Sequence, residues 1–277
     1  MSDDAFSLAA RVLSAADPQS KCDLATAALA ALNDVGADRL AAACRDWPTP
    51  SDRPARPVKP ELLPPAQTPR RRLGGESGRI ALLHAIAHIE FNAIDLAFDM
   101  AARFAGEIDQ SGLDTAAFIS DWFAVGADEA RHFRWLDHRL AQLGARYGDL
   151  PAHDGLWEAA EKTADQVLAR LAIAPMVLEA RGLDVTPAMA GRLRRAGDPE
   201  SAAILDKIYD EEHAHVAAGV RWFRRICAGR GVNPVETFHR LVRQRFNGEL
   251  KPPFNDEARA LAGLEADFYR EWNGSCE

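Results

Sequence analysis

Glutamate and histidine recur at one spacing in two separated stretches. Residues 128–132 read Asp128-Glu129-Ala130-Arg131-His132, and residues 210–215 read Asp210-Glu211-Glu212-His213-Ala214-His215, so each stretch holds a Glu-x-x-His. On an α-helix, residues three apart share a face about 5 to 6 Å apart, which lets a carboxylate and an imidazole reach one metal ion. A lone Glu-x-x-His arises readily by chance; two of them on separate long helices are a much sharper signal. Helical steps from Glu129 and His132 meet Phe118, Trp122, Val125, Leu136 and Leu140, and steps from Glu212 and His215 meet Leu205, Ile208, Tyr209, Val216 and Trp222. Both pairs therefore point into an apolar interior, where an uncompensated carboxylate is costly and calls for a cation or a proton.

Two more carboxylates sit in apolar stripes of their own. Glu90 shares a face with Leu83, Ile86, Ile94 and Phe98, and Glu179 with Leu171, Ala172, Met176 and Leu183. Register supports the pairing of Glu90 with Glu129. About 16 residues separate Glu90 from the end of its helix and about 15 separate Glu129 from the start of the next, so both lie ~22 to 24 Å from a shared turn. The same count sets Glu179 level with Glu212 within about a turn. The connection between residues 145 and 157 reaches about 40 Å when extended, enough to return along a helix of about 30 residues.

These ligands need long helices, and the sequence supplies them. Alanine, leucine and arginine abound, and no stretch alternates in the manner of a strand. The expected fold is all-α: a four-helix bundle with one long crossover, N-terminal helices and a C-terminal helical tail. Residues 1–46 read as two or three short helices. Residues 47–76 form a proline-rich strap, reading WPTPSDRPARPVKPELLPPAQTPRRRL over 47–73, either a linker or an arm across the body. The bundle occupies 77–229, with long helices predicted over about 77–106, 114–144, 156–196 and 199–229. The third of these is expected to be interrupted at Gly182 and Pro187. The tail is 230–277.

This arrangement resembles the ferritin-like di-metal carboxylate bundles, and Asp128-Glu129-Ala130-Arg131-His132 is similar to the D-E-x-R-H signature of bacterial multicomponent monooxygenases. Over nearly the whole chain, PRRRLGG, LLHAIAHIE, EARGLDVTP and PPFN resemble a family of uncharacterised bacterial ferritin-like proteins with no established reaction. The resemblance implies Glu90, Glu129, His132, Glu179, Glu212 and His215 as metal ligands. It also implies Asp128 and Glu211 as acceptors that orient the histidine of the opposite helix. The second motif departs from the first, with Glu211 for aspartate and Ala214 for the arginine at Arg131.

Other polar residues have plainer readings. His84 and His88 share a face that points away from Glu90, which suits structural hydrogen bonds. Tyr209, one turn before Glu212, is either packing or a donor to the site. His213 is expected to face solvent or a neighbouring helix. Residues 221–245 hold seven arginines and one acid with interleaved aromatics, making Arg221, Arg224, Arg225 and Arg243 the candidate polyanion contacts. The net charge of −8 opposes such binding everywhere else. Cys22, Cys44, Cys227 and Cys276 lack metal or redox spacing, which fits thiols in a reducing cytoplasm. The acidic start and the lack of an uninterrupted apolar run give an expectation of no secretory signal and no membrane partner.

Four carboxylates and two histidines suit two iron ions, or manganese, or a mixed pair, better than zinc. The leading expectation is a di-iron oxidase or oxygenase acting with O2, an unidentified small-molecule substrate and an electron-donor protein. The rivals are a tRNA-modifying hydroxylase, a manganese-dependent peroxide-decomposing enzyme and a non-enzymatic iron-binding or storage protein.

Overall fold

The computed structural model describes residues 4–43, 47–68, 75–246 and 248–270. The PRRRLG part of the strap, Cys44 and Cys276 lie outside the described residues. Among those described, the protein is all-α, with a single β-bridge between Leu62 and Ala152. Asp and Asn caps set several helix starts, because a side-chain oxygen can accept from a backbone N–H that has no partner within the helix. Asp4 caps α1 (Ala5–Ser14), and Asp17 caps α2 (Pro18–Val35) with Pro18 at its first position. The short α3 (Ala37–Ala43) follows, then the long α4 (Glu76–Gln110). Asp114 caps α5 (Thr115–Gln142).

The chain divides into two compact units, the first Met1–Glu158 with Arg192–Ile204, the second Ala159–Gly191 with Leu205–Glu277. The first is organised on the α4–α5 hairpin, against which α1, α2 and α3 pack. Gly126 lets the two long helices approach, since a Cβ there would lie 2.5 Å from Phe98 Cε2. The strap is an arm and not a free linker. Its Leu63 N–H donates to the Ala152 carbonyl at 2.8 Å and Trp157 Nε1 donates to the Asp52 carbonyl at 3.0 Å. Its Arg56 donates to Asp95 at 2.6 Å and to Asn92 at 2.7 Å, and buried Lys21 of α2 pairs with the same fully buried Asp95.

One expected boundary on this side moves. The first long helix continues past Gly106 to Gln110, because Gly106 keeps helical geometry beneath the Trp47 side chain. That helix is also the one described helix long and apolar enough to cross a membrane by length and composition. Of its most apolar window, 83% is buried inside the protein, the mark of a core helix.

The second unit corrects the third long helix. Instead of one helix from about 156, a short α6 (Gly155–Glu161) ends in turns, and α7 (Val167–Ile173) begins afresh. Buried Arg170 holds the break, donating to Thr163 Oγ1 at 2.9 Å and to the Ala160 carbonyl at 2.8 Å. A π-helical turn (Ala174–Glu179) follows and leads into α8 (Ala180–Arg195). The irregularity therefore lies at Pro175 and not at Gly182 or Pro187, both of which sit inside α8. Proline has no N–H to donate four residues back, and the wider turn absorbs the loss. In α9 (Pro199–Gly229), Gly219 makes room for that proline: a Cβ would fall 2.4 Å from Pro175 Cβ. Then come α10 (Pro234–Arg245) and α11 (Asp256–Leu261). Arg259 of α11 grips buried Asp184 of α8 through two bonds, at 2.8 and 2.7 Å.

Candidate metal centre

In the first unit, the α4–α5 hairpin sets Glu90 level with Glu129 and His132. All three are 5% exposed or less, and they belong to a buried group whose ligand atoms lie within 4.8 Å of one another. His132 Nδ1 stands 3.2 Å from Glu90 Oε2 and 3.6 Å from Glu129 Oε2. Burial alone would push the imidazole pKa down. Hydrogen bonds and charge from Glu129 and Glu90 outweigh it and lift the value to about 11. The carboxylate pair thus demands positive charge at this point, and the donor set of two carboxylates and one imidazole is one that a divalent iron or manganese ion accepts. The residues fit a metal.

The second unit repeats the carboxylate and imidazole. Buried Glu212 and His215 lie side by side on α9, with 3.5 Å between Glu212 Oε2 and His215 Nδ1. Glu179 is half-buried at the last position of the π-helical turn. A π-helical turn shifts the angular placement of side chains, and such turns gather at functional sites.

The residues expected around the ligands are placed as follows. Asp128 receives a 2.7 Å ion pair from Arg131 on its own helix, and half-buried Glu211 precedes Glu212. Tyr209 presents its hydroxyl to Asn255 Nδ2 at 3.2 Å and its ring to His213, 4.8 Å away between centroids. His213 Nδ1 bonds the Tyr209 carbonyl at 2.9 Å. His84 and His88 form structural bonds. His84 Nε2 accepts from the Gly148 N–H at 2.9 Å, and His88 lies between Tyr147 Oη at 2.8 Å and the His153 carbonyl at 3.2 Å. Burial lowers the pKa of both, that of His88 to about 3. Arg224 bonds Glu265 at 2.9 Å and Arg225 lies over the Trp222 ring, while Arg221 is half-buried and Arg243 exposed. Sequence reading passed over Trp135, whose position three residues after His132 already places it on the adjoining face.

A family model described as a protein of unknown function, DUF455, matches residues 14–270. The chain belongs to the DUF455 family. An uncharacterized protein of Haemophilus influenzae is similar to it, 38% identical over 259 residues that span 91% of this chain and 88% of the relative. No solved structure matches this DUF455 protein.

Proposed function

We propose that this DUF455 protein is a cytoplasmic di-iron, iron–manganese or manganese oxidase or oxygenase of ferritin-like architecture. The observation that carries the reading is the buried Glu90, Glu129 and His132 group, which has a cation-binding donor set and lies on two long core helices. The Glu212 and His215 pair, with Glu179, repeats that donor set, and six ligands from the two Glu-x-x-His motifs and two single glutamates match the requirement of a two-metal centre. Two iron ions would supply the electrons that reduce O2. The protein's part is to exclude water, to hold the imidazoles by their carboxylate neighbours, and to offer glutamates whose binding mode shifts as metal charge changes. When no cation is present, the positive charge between Glu90 and Glu129 is the proton on His132, which entry of a metal would displace.

A small-molecule substrate is favoured over tRNA because the basic segment spends part of its charge internally, with Arg224 on Glu265 and Arg245 on Asp165. The test is elemental analysis after gentle anaerobic purification from cells supplied with iron and manganese, followed by mixing with O2. About two transition-metal ions per chain and O2 consumption tied to ferrous loading are expected. A single zinc, or reproducibly no metal, overturns the reading.

A further inference from the structure

His132 has a neighbour that metal binding alone does not require. The Trp135 indole lies 5.5 Å from the His132 ring, centroid to centroid, inclined by 33°. The imidazole is fully buried and the indole only half-buried, so the two rings form a short path from solvent to the Glu90 and Glu129 carboxylates. On the indole, the Arg131 guanidinium stands 5.5 Å from the ring centroid, fixed by its 2.7 Å bond to Asp128. Trp122, Trp157 and Trp222, which serve packing, are each 2% exposed or less. Trp135 is left partly in solvent beneath a cation that is itself held in place.

We propose that Trp135 is the positioning residue through which electrons enter the site, its indole bridging an external one-electron donor and the metal held by His132. The inference rests on the redox reading above and adds where the donor docks. In the step, one electron leaves a reduced donor at the Trp135 face and arrives on a ferric ion at the site. The donor is oxidised by one, the iron is reduced by one to ferrous, and the indole begins and ends neutral with its N–H intact. Arg131 suits that role in two ways. A cation over the ring face disfavours loss of an electron from the indole, so charge passes without resting there. Its exposed positive charge also attracts an acidic donor surface.

The experiment loads wild-type protein with iron, oxidises it with O2, removes the O2 and mixes it with dithionite, whose sulfur dioxide radical anion is a negatively charged one-electron donor. Reduction is followed by loss of ferric absorbance, after iron content has been measured for each variant. Trp135→Leu is expected to retain iron and be reduced about tenfold more slowly, whereas Trp135→Tyr, which keeps an aromatic ring, stays within about threefold of wild type. A second readout needs no donor. Cobalt(II) entry should quench a component of tryptophan emission in the wild type that is missing from Trp135→Tyr, which keeps the measurement available if Trp135→Leu fails to fold. Iron retained with equal reduction rates in all three proteins overturns the electron path while the metal reading stands. No iron retained in the wild type overturns both.

Discussion

Gly126→Ala adds one carbon atom where α4 and α5 leave no room for it. The new Cβ would lie 2.5 and 2.8 Å from Phe98 Cε2 and Cδ2, and 3.3 Å from Ala97 Cβ. Ordinary carbon contacts sit at about 3.5 to 4.0 Å, so the overlap with the phenyl ring is about 1 Å. Phe98 has no easy escape, being fully buried and packed on Phe123 with 5.0 Å between ring centroids. Overpacking of this kind costs ~1 to 3 kcal/mol, while replacing glycine within a helix returns ~1 kcal/mol. With so deep an overlap the clash wins, and a net loss of about 1 to 2 kcal/mol corresponds to a Tm lower by about 5 °C. Gly182 is the matched control, since it lies within α8 with nothing inside 4 Å of its would-be Cβ. Gly182→Ala keeps only the propensity gain and should raise Tm by about 2 to 4 °C. Gly126 is also one turn from Glu129, so forcing α4 from α5 stretches the 3.2 Å contact between Glu90 and His132 and should weaken metal binding. Thermal melts of both variants, metal-free and loaded, decide the matter. A Gly126→Ala protein as stable as wild type, or two shifts of the same sign, would refute the packing argument.

Three further outcomes are expected. Glu129→Ala and Glu212→Ala should each empty or halve the metal content measured by elemental analysis, whereas His84→Ala should leave it intact; the reverse pattern would show the ligand faces to be misassigned. Asp184→Ala strands buried Arg259 and removes the acceptor of the Asn255 N–H, so chemical denaturation should show a loss of about 3 to 5 kcal/mol, and a neutral result would deny the tail its grip on α8. For Asp198, burial works to raise the carboxyl pKa, but bonds from Ser201 and Arg139 outweigh it and hold the pKa below its ordinary value. A lowered folded-state pKa gives stability that is present above the unfolded value of about 3.9 and lost as pH falls through the folded one. The stability gap between wild type and Asp198→Asn should therefore close on acidification below about pH 4, and a gap independent of pH would exclude this origin.

Much of the centre was legible because a helix turns spacing into direction. Glu129 and His132 share a face by the rule of three, whereas the count that set Glu90 level with them ran to Gly106, and α4 continues four residues further to Gln110. The capping aspartate at 114 marked the start of α5 for the same local reason. What escaped reading depended on partners far away in the chain. The break before α7 is held by Arg170 reaching back to Ala160 and Thr163, and the π-helical turn depends on Gly219 yielding space to Pro175. Gly106 looked like a stop and is instead a seat for Trp47. Asp95 gave no hint in the sequence of being buried, because its cationic partners come from α2 and the strap.

Asp95 carries a consequence for how the N-terminal region can be regarded. Its two cations arrive from Lys21 and Arg56, on segments that precede α4 in the chain. A protein shortened to begin at residue 76 would keep every proposed ligand and yet leave a carboxylate deep in α4 with neither counter-charge, the circumstance in which breaking a buried pair costs about 3 to 5 kcal/mol. The first sixty residues thus act as the counterweight of the helix that carries Glu90. They are not a detachable appendage, and swapping them between relatives would require Lys21, Arg56 and Asp95 to travel together.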